Sequence, residues 1–228
     1  MLRHVARRAV VTGAPRVQAM ASTLRRAAFI ARVRAAAASV DATVDLRVAD
    51  DVRLGAGVRV VFAPWTANEL VIAGGCLLDD AVRVQLKGGG VHIGERVEVR
   101  RMTLMNVAGR LEIGDDTIVS WGCVLHCSEG IRIGPRVLIG EYSTFADSSH
   151  YFTAPDETAW HNVRSTPIEV GGGTWLGAKA TLARGAKVGA HCIVAGNSLV
   201  VGTVPDGSLA SGVPAEARPL RLPWWSSE

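Results

Sequence analysis

The stretch VGGGTWLGAKATLARGAKVGAHCIVAGNSLVVGTV, residues 170–204, decides the fold. Val170, Leu176, Leu182, Val188, Val194 and Val200 recur at an unbroken spacing of six. Four residues after each stands a smaller side chain: Thr174, Ala180, Ala186, Cys192, Ser198 and Val204. A period of six is neither the 3.6 of a helix nor the 2 of a strand. It describes a triangular coil in which each hexad is one short strand plus one corner. The aliphatic residue points inward from each face, and the small residue four later points inward near the corner. Gly, Asn and Asp gather at the corners, where a positive φ is often required.

Working outward, VHIG (91–94), LEIG (111–114) and IRIG (131–134) start 20 residues apart, and IEVG (168–171) repeats the form. Within the intervals the period persists as Ile93, Val99 and Met105, then Ile113, Val119 and Leu125, then Ile133, Ile139 and Phe145. A 20-residue interval reads as three hexads with a two-residue extension at one corner. Ile72, Leu78 and Val84 keep the same spacing earlier, and Leu54 and Val60 start the series. Coils stack at about the 4.8 Å strand spacing. No single coil buries its own core, so stability grows by stacking. The expected class is all-β: a single-stranded left-handed parallel β-helix of hexapeptide repeats, with an N-terminal basic helical arm and one inserted loop.

The expected organisation is an arm over 1–45, a β-helix domain over 46–205 and a C-terminal tail over 206–228. The period is interrupted at 151–169, YFTAPDETAWHNVRSTPIE, a polar, aromatic and Pro-containing loop of a length that is usually functional or disordered. In the arm, Leu24, Ala27, Ala28 and Ala31 with Phe29, Ile30 and Val33 fit a helix over 15–38, and Pro15 sits at its start. The helix is read as solvated or capping the first coil, with a membrane-surface contact as the alternative.

Composition agrees. Hydrophobic residues make up 48% of the 228 residues but aromatics only 5%, with 25 glycines. That is a core of Val, Ile, Leu and Ala between tight corners, not a helical bundle. No apolar run approaches the ~18 residues of a membrane span. The four cysteines (76, 123, 127 and 192) show no CxxC spacing and read as reduced thiols of a cytosolic protein. Residues 1–38 hold eight arginines and no acid, leaving 17 basic against 21 acidic side chains elsewhere. The net charge of +4 therefore belongs to the arm, and the body carries no nucleic-acid footprint.

Three phrases carry a family resemblance over about 91–221: FADSSHYF (145–152), TWLGAKATLARGAKVGAHCIVAGNSLV (174–200) and VPDGSLASGVPAEARPLR (204–221). The chain resembles the hexapeptide-repeat acyltransferases, especially sugar O-acetyltransferases of polysaccharide and lipopolysaccharide synthesis. The resemblance implies an acyl-CoA-dependent transfer, most simply of acetyl from acetyl-CoA to a sugar hydroxyl, with no metal required. His150 matches the family's general base. An imidazole titrating near neutrality suits the removal of a hydroxyl proton. Asp147 is placed to fix that imidazole or to bond the acceptor. Ser149, Tyr151, Trp160 and His161 are the acceptor-contact candidates, with His161 the rival base. Trp175, Gly177, Ala178, Lys179, Ala195, Gly196, Ser198 and Arg218 are the coenzyme-binding candidates, and Lys179, Arg184, Lys187 and Arg218 are the cations available for its phosphates. His92, His126 and His191 are read as surface residues. The family works as homotrimers with sites between neighbours, which implies a homotrimer here, cytoplasmic or peripheral at the inner membrane face. Two departures stand out: Glu216 occupies the place of a usual Lys, and Asn197 that of a usual Gly. Alternatives are N-acetylation of an amino sugar, a non-catalytic β-helix scaffold, and a γ-type carbonic anhydrase, which would need three convergent histidines.

Overall fold

The structure is a computed structural model, and it describes residues 15–154, 160 and 162–221, with side chains from residue 23 onward. Three parallel sheets wind around one core. Sheet 1 has eight strands, from Thr43–Val48 to Thr203–Val204; sheet 2 has nine, from Arg53–Leu54 to Ser208–Gly212, ending on the antiparallel strand Ala215–Pro219; sheet 3 has seven, from Arg59–Phe62 to Leu199–Val200. The chain visits the sheets in the order 1, 2, 3 in each coil, as a single-stranded parallel β-helix of hexapeptide repeats requires.

Register confirms the period. Val170 pairs with Val188, Trp175 with Ile193 and Thr181 with Leu199, each 18 residues on. Leu111 pairs with Val91 and with Ile131, 20 residues away on either side. The two extra residues lengthen the strands flanking the corner from sheet 3 to sheet 1, as in Leu104–Val107 and Arg110–Ile113. The first coils are longer than the hexads suggest. Thr43 pairs with Ala67 and Leu70 with Val91, so the series begins one strand before Leu54 and its opening coils carry wider corners.

All six aliphatics of 170–200 and all six following small residues are buried. Inward hydroxyls are satisfied locally: Thr174 donates to the Gly189 carbonyl at 2.8 Å, and Ser143 donates to the Gly140 carbonyl at 2.9 Å. That is the condition for a polar group inside an apolar column. Asn197 takes φ = 60°, so the left-handed corner survives without glycine.

Helix α1 (Pro15–Ala38) closes the first coil. Phe29, Val33 and Ala37, at a spacing of four, are buried against it. Arg26 donates to the carbonyls of Val48 (2.6 Å) and Ala49 (2.9 Å), covering the open sheet end. The helix ends in a Schellman arrangement: Asp41 is left-handed (φ = 53°), and the N–H of Ala42 reaches back to the Ala37 carbonyl at 3.0 Å.

The outer faces of sheets 1 and 2 differ. Sheet 1 carries a ladder of charge, in which Glu69 pairs with Arg47 and His92, and Glu112 with Arg110 and Arg132. The outward row of sheet 2 runs Ile118, Leu138, Trp175, Ile193 and Leu209.

Candidate functional site

The interruption of the period sits at the corner from sheet 3 to sheet 1, between strands Thr144–Ala146 and Ile168–Val170. It leaves and returns as an antiparallel pair, Ser148–His150 against Val163–Ser165, with Ser149 opposite Arg164 and His150 opposite Val163. Tyr151 N–H continues the ladder to the Asn162 carbonyl at 3.1 Å.

Asp147 stands where the coils below place Val107 and Cys127, the inward end of a sheet 3 strand. It is fully buried. A buried carboxylate needs donors, and the corner beneath supplies them. Asp147 accepts the N–H of Ser128 (2.7 Å), Glu129 (2.8 Å) and Gly130 (2.8 Å). Its own carbonyl accepts Thr166 N–H at 2.8 Å from the returning strand. The sequence offers this carboxylate to the imidazole or to the acceptor; both of its oxygens are instead engaged by the corner backbone, because one coil of stacking brings residue 128 under residue 147. Ser148 Oγ lies 3.0 Å from Ser128 Oγ, a second tie at the root.

His150 is exposed at the end of its strand. Ser149 accepts a hydrogen bond from Arg184 Nε (3.0 Å). Tyr151 is half-buried, with the Arg164 guanidinium carbon 4.0 Å from its ring centroid. Trp160 is exposed, as is Phe152, which sequence reading did not single out. His161 lies outside the described residues.

The coenzyme candidates gather at another corner. Gly177, Ala178 and Lys179 turn from sheet 2 to sheet 3, directly under Ala195 and Gly196 of the next coil: Gly177 N–H donates to Val194 (2.8 Å), and Asn197 N–H donates to Ala178 (3.0 Å). Any Cβ on Gly177 would come within 2.5 Å of the Gly196 nitrogen, so this corner stacks backbone on backbone. Trp175 is outward on the row that ends at Arg218, which pairs with Leu209. Ser198 faces inward, where its hydroxyl accepts Gly212 N–H at 3.2 Å. Lys187 pairs with Glu169 on sheet 1 (3.4 Å). Within one chain, sheet 3 therefore separates His150 from the Gly177–Gly196 corner.

Of the other histidines, His126 and His191 are exposed as expected. His92 is instead half-buried between Glu69 (2.5 Å) and Arg110 (3.2 Å), because residues 20 or so apart in sequence become neighbours in the stack. The cysteines are buried and unbridged. Burial pushes the Cys123 thiol up to about 11 and the Cys127 thiol up to about 12.

No protein-family model matches the chain. An acetyltransferase-named protein of Mycobacterium tuberculosis, Rv3034c, is 29% identical over 61% of this chain and 46% of its own length. WbbJ of Escherichia coli, named for O-acetyl transfer in lipopolysaccharide biosynthesis, is 29% identical over 39% of this chain and 49% of its own. The chain thus spans about half the length of the curated relatives it matches. The solved structure of the hexapeptide-repeat acetyltransferase VCA0836 of Vibrio cholerae, complexed with acetyl coenzyme A, is 30% identical over 57% of this chain and 70% of that one, with a TM-score of 0.53. Coil period, corner chemistry and this similarity agree: the chain belongs to the hexapeptide-repeat acetyltransferases.

Proposed function

We propose that the protein transfers acetyl from acetyl-CoA to a hydroxyl of a sugar, with His150 as general base. The observation that carries the reading is the hairpin inserted at 147–166, which holds an exposed imidazole on a root tied to two coils, in a chain similar to an acetyltransferase complexed with acetyl coenzyme A. In this mechanism His150 takes the proton of the acceptor hydroxyl as its oxygen bonds the thioester carbonyl carbon. The tetrahedral centre then collapses, the C–S bond breaks, and the imidazolium returns the proton to the leaving thiolate. The exposed rings of Trp160 and Phe152 suit the apolar faces of a sugar. WbbJ's name favours an O-acetyl acceptor of the lipopolysaccharide kind.

The separation of His150 from the Gly177–Gly196 corner supports a homotrimer, in which one copy brings its hairpin to the coenzyme corner of its neighbour. The apolar row from Ile118 to Leu209 is the surface suited to that packing. Leu138→Glu places a charge in its centre and should abolish the trimer in sedimentation; an unchanged native monomer would remove the assembly. We place the enzyme in the cytoplasm. Among the described residues no helix is long and apolar enough to cross a membrane. Phe29 and Val33 are spent on the coil, so a contact of α1 with the inner membrane face would rest on the charge of Arg25, Arg32 and Arg34.

The experiment is thiol release from acetyl-CoA with a panel of sugar acceptors, for native protein and His150→Ala. The expected result is turnover by the native protein and a loss of about 10²–10⁴-fold in the variant. An active, unimpaired variant would move the base elsewhere, and absence of both coenzyme binding and turnover would favour a scaffold.

A further inference from the structure

We infer that Arg184 is a positioning residue for His150: it grips the back of the hairpin from the coil above and fixes the strand on which the imidazole stands. The inference rests on the reading of His150 as the base.

Arg184 sits at the corner from sheet 3 to sheet 1 that follows Thr181–Leu182, directly above the hairpin root. Its guanidinium has two anchors, one on the outgoing hairpin strand and one just past the end of the returning strand. Nε donates to Ser149 Oγ at 3.0 Å, and Nη1 donates to Thr166 Oγ1 at 3.0 Å. The neighbouring Gly185 N–H donates to the Thr166 carbonyl at 3.0 Å, and at φ = 77° a Cβ there would press Thr166 at 3.3 Å. The corner is therefore shaped to receive the hairpin.

Strand alternation gives the hairpin two sides. Ser148 and His150 share one side, and Ser148 Oγ reaches down to Ser128 on the coil below. Ser149 is on the other, and that is the side Arg184 holds. The arginine is behind the imidazole rather than beside the reacting atoms. Asp147 pins the root to the lower corner and Arg184 pins it to the upper one. The planar guanidinium suits the task, since its fixed fork spans two hydroxyls on the two arms of the hairpin where an ammonium reaches one. Lys179, by contrast, stands at the far corner of sheet 3. Of the cations that the sequence offers to the coenzyme phosphates, Arg184 is thus spent on the hairpin.

The test is steady-state kinetics of Arg184→Ala and Arg184→Lys with acetyl-CoA and whichever acceptor the native protein accepts. A misplaced base should lower kcat by up to about a hundredfold, with KM for acetyl-CoA unchanged and part of the loss recovered by Lys. A raised KM for acetyl-CoA at native kcat would overturn the proposal and return Arg184 to the phosphates; so would native kinetics in the Ala variant. If the native protein turns over nothing, the acetyltransferase reading falls, and the grip itself is decided by hydrogen exchange. The amides of Tyr151 and Thr166 should exchange faster in Arg184→Ala than in native protein, while amides of 188–200 stay unchanged. Equal rates at Tyr151 and Thr166 would sink the grip as well.

Discussion

The carboxylate of Asp147 lies 2.8 Å from the amide nitrogen of Gly130, seventeen residues earlier in the chain and one coil lower. With the amides of Ser128 and Glu129 on the same carboxylate, the position that holds Val107 and Cys127 in the coils beneath becomes an anchor instead of a core residue. The chain leaves the solenoid at the point where the inward side chain turns from apolar to anionic.

Asp147→Ala leaves three corner amides without their acceptor. Water reaches part of the corner, so the expected cost is about 1–3 kcal/mol, read as a lower urea midpoint. Asp147→Asn keeps the volume and one acceptor oxygen and should fall between. Native stability in the Ala variant would show that the corner needs no carboxylate.

Removing the Phe29 ring should open the solenoid from one end. Phe29 is 1% exposed under the first coil, and a large-to-small change of this kind costs about 3–5 kcal/mol. Stacked coils touch only their neighbours. Hydrogen exchange in Phe29→Ala should therefore accelerate over 43–62 and remain native over 170–204. Uniform acceleration would mean that the coils melt as one unit.

Glu69 gives the acid limb of stability a specific residue. Its hydrogen bond to His92, then the nearby charges of His92, Arg47 and Arg110, hold its carboxyl below the ordinary 4.5 against the opposing effect of burial. A carboxylate depressed in the folded state stabilises above its unfolded value, and that contribution is lost as the pH falls below about 4.5 toward the folded value. The group is partly exposed, so the effect is about 1 kcal/mol or less. Glu69→Gln should lower stability at pH 7 by that amount and leave the variant and native protein alike at the acid end. Parallel curves at all pH values would show that Glu69 is not the titrating group.

The thiols should be silent until the fold opens. Cys76, Cys123, Cys127 and Cys192 are buried, and Cys123 donates to the Gly140 carbonyl at 3.3 Å. With burial holding Cys127 up at about 12, its thiolate is scarce at neutral pH. An aromatic disulfide reagent at pH 8 should find almost no fast thiol in native protein and four in denaturant. A fast native thiol would place one of the four in an opening segment.

Much of the molecule was legible in the chain alone because its code is local. A spacing of six from Val170 to Val200 dictates which side chains turn inward, and three such hexads close a coil without reference to anything distant. Helix α1 was legible as an element but not its packing face: Leu24, Ala27, Ala28 and Ala31 are exposed, and Phe29, Val33 and Ala37 carry the contact with the first coil. The candidate site was legible only as residue types: FADSSHYF announces a base on an interrupted coil, while nothing in it says what Asp147 touches.

What only the tertiary structure decided is the vertical neighbourhood. Stacking sets Asp147 above Ser128, Arg184 behind Ser149, and His92 between Glu69 and Arg110, pairs separated by 19, 35, 23 and 18 residues. Those separations depend on how many residues each corner and insertion consumes, from the wide opening coils to the loop before Ile168. The hexad fixes where a side chain points. The summed lengths of the corners between two hexads fix whom it meets, and that sum exists only once the coils are stacked.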